Sequence, residues 1–118
     1  MKGLTHFQPD QYYHIINHAV GSENLFRNEE NYHFFLKRYA HYMTSIGDTI
    51  AYCLLPNHFH ILIKVHAEKL LKEHPKFKID HHRFVMQQLS NCLNSYAKSY
   101  NKAYDRRGAL FMDSTKRL

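Results

Sequence analysis

The stretch "CLLPNHFHILIK", Cys53 to Lys64, decides the fold. Pro56-Asn57 is a two-residue break between apolar runs, and such a dipeptide suits a tight turn, with Asn tolerating positive φ. Thr49 to Leu55 reads as the strand before the turn and His58 to Val65 as the strand that returns, an antiparallel hairpin. Side chains alternate along a strand. Phe59, Ile61, Ile63 and Val65 therefore share one face, and His58, His60, Leu62 and Lys64 the other. Residues i and i+2 are ~7 Å apart at their bases, so two imidazoles there can converge on one ion. The plainer reading is two polar residues alternating on a half-exposed strand. Two ligands also fall short of a complete metal site, which needs a third group and usually water.

Outward from the hairpin, "YYHIIN", Tyr12 to Asn17, has the aromatic and β-branched content of a strand. Its His14 and His18 face one side. They are strand-edge polar residues unless this strand neighbours the histidine strand. After a loop with Gly21, a helix starts near Asn28, a good N-cap followed by Glu29 and Glu30 at the positive end of the helix dipole. Tyr32, Phe35, Leu36, Tyr39 and Tyr42 or Met43 recur at helical spacing, and Gly47 is placed to turn the chain where the helix stops.

Residues 66–82 are a long polar connection with room for a short helical turn. Asp80 is the candidate cap of a second long helix, about Arg83 to Tyr104. Val85, Leu89, Cys92, Leu93, Tyr96, Tyr100 and Ala103 form its apolar stripe, and Gly108 reads as a C-terminal cap. "ALFMDSTKRL" begins a fourth strand, left incomplete. The order β-α-β-β-α-β predicts an α+β, ferredoxin-like split βαβ sandwich: an antiparallel sheet with two helices on one face and the other face open.

The 118 residues suffice for one domain, and 44% hydrophobic content excludes disorder as the main description. No apolar run approaches the ~20 residues of a membrane span. The start "MKGLTHFQPDQYY" lacks the apolar stretch of a secretory signal. Cys53 and Cys92 sit in apolar patterns and read as buried thiols of a cytoplasmic protein. The net charge of +6 suggests a polyanionic partner, most often nucleic acid, although many small basic proteins bind nothing specific. Lys64, Lys98, Lys102, Arg106 and Arg107 are the candidate phosphate contacts. Tyr96, Tyr100 and Tyr104 lie four residues apart. A phenol can attack phosphorus and form a covalent link. Tyr96 and Tyr100, however, lie on the core stripe, where packing is the plainer role.

These segments resemble the single-tyrosine HUH transposases (His, bulky apolar residue, His), in particular the REP-associated tyrosine transposases. "YCLLPNHFHILIK" is similar to their "MPNHxHLL" signature, "YYHIINHAVGSENLF" to "YHIxNRGNNKxxLF", and "SYAKSYNKAYDRRGALF" to "YxxxxNxxxxRxGxLF". The resemblance implies a homodimer that recognises single-stranded DNA folded into hairpins. It implies a divalent cation, Mg²⁺ or Mn²⁺, held by His58 and His60, and strand cleavage and rejoining through a 5′-phosphotyrosine. There are departures. His18-Ala19 stand where the family has Arg-Gly. The family's nucleophilic tyrosine and third metal ligand lie on a helix downstream of "GxLF", and this sequence stops at Leu118, before such a helix. No tyrosine here matches the nucleophile; Tyr96 and Tyr100 are the weak candidates that remain. The expectation is a single transposase domain over residues 1–118 that binds, cleaves and rejoins hairpin DNA, with activity in this shortened form left open. The competing expectations are a non-catalytic nucleic-acid-binding module on the same fold and a small metal-binding protein.

Overall fold

The computed structural model describes residues 5–78 and 80–118. Its elements run β1 (Tyr12–His18), α1 (Glu29–Met43), β2 (Gly47–Leu55), β3 (His58–Val65), α2 (Glu68–Lys72), α3 (His81–Ala103) and β4 (Lys116–Arg117). The sheet order is β2-β3-β1-β4, with every pairing antiparallel. This is the ferredoxin-like arrangement expected from the element order.

Local chemistry sets the boundaries. Asn28 caps α1, its side chain accepting from the Asn31 N–H, and Asp80 caps α3 by accepting from the Arg83 N–H. Phe35, Tyr39 and Met43 form the buried side of α1. The buried side of α3 includes the expected Val85, Leu89, Cys92, Leu93, Tyr96 and Tyr100, and adds Phe84 and Gln88. Ala103, expected on that side, is exposed. The helices meet the sheet through aromatic rings: Phe35 lies 5.3 Å from Phe59 and 5.3 Å, edge-on, from Tyr96. The α2 turn falls within the long polar connection.

Four local expectations need correction. Gly47 does not end α1 in a turn; it opens β2, where a Cβ would overlap the Lys64 carbonyl oxygen and press on Ile63. Asn57 does not use positive φ. Among the described residues the non-glycine positions that do are Asp10 and Asp105. Gly108 (φ 85°) is not the cap of α3, which ends at Ala103 with Tyr104 as C-cap and Asp105 in the left-handed region at φ 49°. Cys53 is exposed while Cys92 is buried. The cause is β2 itself, an edge strand whose residues 48–53 are all exposed, a position that an apolar sequence does not disclose.

Residues 109–118 close the sheet. Buried Asn17 holds them to β1: its Nδ2 donates to Thr115 Oγ1 (2.8 Å) and the Met112 carbonyl (3.2 Å), and its Oδ1 accepts from the Met112 N–H (3.1 Å). His14 and Leu118 exchange backbone bonds of 2.9 and 3.0 Å. Arg117, also buried, donates through Nε to the Thr5 carbonyl (2.8 Å).

Candidate functional site: a histidine face on the open side of the sheet

Residues directly opposite in an antiparallel pair share a face. β1 and β3 pair with His18 opposite His58, Ile16 opposite His60 and His14 opposite Leu62. The helix-covered face carries Tyr13, Ile15 and Asn17 with Phe59, Ile61 and Ile63, all buried. The open face therefore carries four histidines in two adjacent strands: His14, His18, His58 and His60. Sequence alone makes the role of His14 and His18 depend on which strands are neighbours, and the strand order supplies that.

The rings are in contact. His14 Nε2 and His60 Nδ1 are 2.8 Å apart in a hydrogen bond. The His18 and His58 rings stack with centroids 4.8 Å apart and planes 17° from parallel. His58 and His60 stand edge to face at 5.1 Å. His58 donates from Nδ1 to Asn57 Oδ1 at 2.8 Å. Burial, then the neighbouring His18 and His60, hold the His58 imidazole below its ordinary value, so it favours the neutral, lone-pair-bearing form.

The hairpin turn is fixed from below. The Pro56 carbonyl accepts from Leu25 N (2.6 Å) and Phe26 N (3.1 Å), and the Asn57 carbonyl accepts from Ala19 N (2.8 Å). The loop after β1 thus braces the turn that starts the histidine strand. That loop is itself held by tyrosines: Tyr96 Oη donates to the Leu25 carbonyl, Tyr100 Oη to the Asn24 carbonyl, and Arg27 Nε donates to Tyr100 Oη.

Tyr96 and Tyr100 are therefore buried on the helix side, across the sheet from the histidines. Desolvation pushes the Tyr96 phenol far above its ordinary value, which opposes formation of a nucleophilic phenolate. Tyr104 Oη donates to Asn31 Oδ1, with Arg27 over its ring at 4.1 Å.

The five candidate phosphate contacts do not form one patch. Lys64 lies on the histidine face with its Nζ 5.7 Å from the centre of the Tyr12 ring. Lys98, Lys102 and Arg107 are exposed on α3 or just after it. Arg106 is tied down by Glu23 at 2.9 Å and by the Gly108 and Ala109 carbonyls. Sequence reasoning missed Lys116, which β4 pairing sets opposite Ile16 on the open face. Lys116, Ile16 and His18 line a groove of about 460 Å³ with Met112, Asp113 and Ser114. Nothing local in "STKRL" signals this, since the placement comes from pairing with β1.

Were a cation to bind this face, His58 and His60, with ring centres 5.1 Å apart, are the residues that would hold it. Among the described residues no three His, Cys, Asp or Glu side chains form a metal cluster.

A ferredoxin-like domain with an imidazole-lined open face is thus the class that fold and site define. No family model matches the chain, and no curated protein matches it. Among solved structures, the chain is similar to a REP-associated tyrosine transposase bound to a REP hairpin. The TM-score is 0.68 at 6% identity, and the match covers 100% of this chain and 61% of that one. At that identity the likeness is one of fold. Among the described residues, no helix is long and apolar enough to cross a membrane.

Proposed function

We propose that this chain is a DNA-binding domain of transposase type. Its open sheet face engages single-stranded DNA folded into a hairpin. One observation carries the reading: four histidines cluster on the open face of a fold shared with a hairpin-bound tyrosine transposase. Lys64 and Lys116 flank the cluster as phosphate contacts, and exposed Tyr12 offers a ring to an unpaired base. His58 and His60 hold a divalent cation beside the bound strand. That cation would polarise the scissile phosphate for attack by a tyrosine and stabilise the charge that builds there. Among the family's expected ions, two nitrogen donors favour Mn²⁺ over Mg²⁺. The active assembly is a homodimer, in the cytoplasm.

A second reading is favoured by one specific observation. The hydroxyls of Tyr96 and Tyr100 are committed to backbone carbonyls on the far side of the sheet. A chain that binds hairpin DNA without cutting it fits that arrangement.

Fluorescence anisotropy with labelled single-stranded hairpins and a blunt duplex tests the proposal. Hairpin binding should be tighter, and should weaken steeply between about 50 and about 200 mM salt. Binding that ignores salt and strandedness would sink it. Incubation with Mn²⁺ and hairpin DNA separates the two readings. A covalent protein–DNA adduct supports cleavage, and retained binding without an adduct supports the second reading.

A further inference from the structure

The two rings of the metal pair are each gripped from behind. His58 Nδ1 meets Asn57 Oδ1, and His60 Nδ1 meets His14 Nε2, both at 2.8 Å. A neutral imidazole has one N–H and one lone pair, and the partner of one nitrogen decides which the other presents. Asn57 Oδ1 is an acceptor, so His58 carries its proton on Nδ1 and turns a lone pair outward on Nε2. Without such a partner the ring is free to carry the proton on Nε2, which blocks that nitrogen as a ligand.

We propose that Asn57 and His14 are positioning residues: each accepts a hydrogen bond from the Nδ1–H of one imidazole, so that His58 and His60 both offer Nε2 to the same ion. His60 is then the donor to His14. The turn "PNH" acquires a chemical reason beyond bending the chain, since Asn57 has no positive φ that would require it. His14 acquires one as well, because β1 brings it beside His60 across the sheet. The inference rests on the metal reading above.

Two readouts on the purified 118-residue chain test it. Long-range ¹H–¹⁵N NMR of the neutral rings reports the tautomers without metal, and calorimetric titration with Mn²⁺ reports affinity. Both His58 and His60 should show the Nδ1–H tautomer in the parent chain. Asn57→Ala should release His58 alone, His14→Ala should release His60 alone, and each should weaken Mn²⁺ binding about 10- to 100-fold. Asn57→Asp and His14→Gln each restore an acceptor and should recover the tautomer. Either ring found as Nε2–H in the parent chain would overturn the assignment. So would tautomers that both alanine variants leave unchanged. If the parent chain binds no Mn²⁺, the metal reading fails, and the tautomers decide the positioning claim by themselves.

Discussion

The two faces of one sheet treat their polar atoms in opposite ways. Under the helices, polar groups are consumed by the fold: the Tyr96 and Tyr100 hydroxyls hold the loop after β1, and Asn17 fastens residues 112–115. On the open face, four imidazoles gather where no core requires them, and in His58 and His60 it is Nδ1 that is bonded. A polar group that a fold needs is satisfied within it. A cluster that the fold does not need points to a ligand.

The contrast breaks first, and hardest, on the helix side. Phe35 is fully buried between Phe59 and Tyr96. Phe35→Ala should cost about 3–5 kcal/mol in urea unfolding, with hairpin-DNA affinity of the folded fraction unchanged. Tyr96→Phe keeps the ring and strands the Leu25 carbonyl, so about 1–3 kcal/mol should be lost by the same measurement. A Tyr96→Phe chain as stable as the parent would remove the claim that this hydroxyl braces the loop.

Acid probes the N-terminal seam of the helix layer with a smaller effect. His82 Nδ1 accepts the Phe7 N–H at 3.0 Å, so that nitrogen must be unprotonated. Burial, then His6 and Arg117, lower the His82 value. The unfolded chain thus binds the proton first. The stabilisation is present above the ordinary imidazole value of about 6.5 and is lost as pH falls below it, towards the lowered folded value. Protection of the Phe7 amide from hydrogen exchange, taken relative to the intrinsic rate at each pH, should fall over that window, and a His82→Phe chain should show no such pH-dependent fall.

Much of this was legible in the sequence, and the rest was not for a single physical reason. β3 was readable to the residue, because alternation and the Pro56-Asn57 break are local. The Asn28 and Asp80 caps were readable for the same reason. What depended on strand order was hidden: the exposure of Cys53 on an edge strand, the placement of Lys116, and the union of His14 and His18 with His58 and His60. Gly47 misled because the same residue serves a turn and a close backbone approach, and only the β3 neighbour distinguishes them.

The smallest expected change in stability carries the largest functional consequence. The double variant His58→Ala, His60→Ala removes two half-buried side chains from the open face. Its unfolding free energy should stay within about 1 kcal/mol of the parent, since each such surface site contributes about 0.5 kcal/mol or less. Calorimetric titration with Mn²⁺, set beside the urea curve of the same sample, is the direct test. The account predicts a parent chain that binds the ion and a double variant that folds equally well and binds none. A parent chain that binds no Mn²⁺, or a double variant that binds it undiminished, would contradict it.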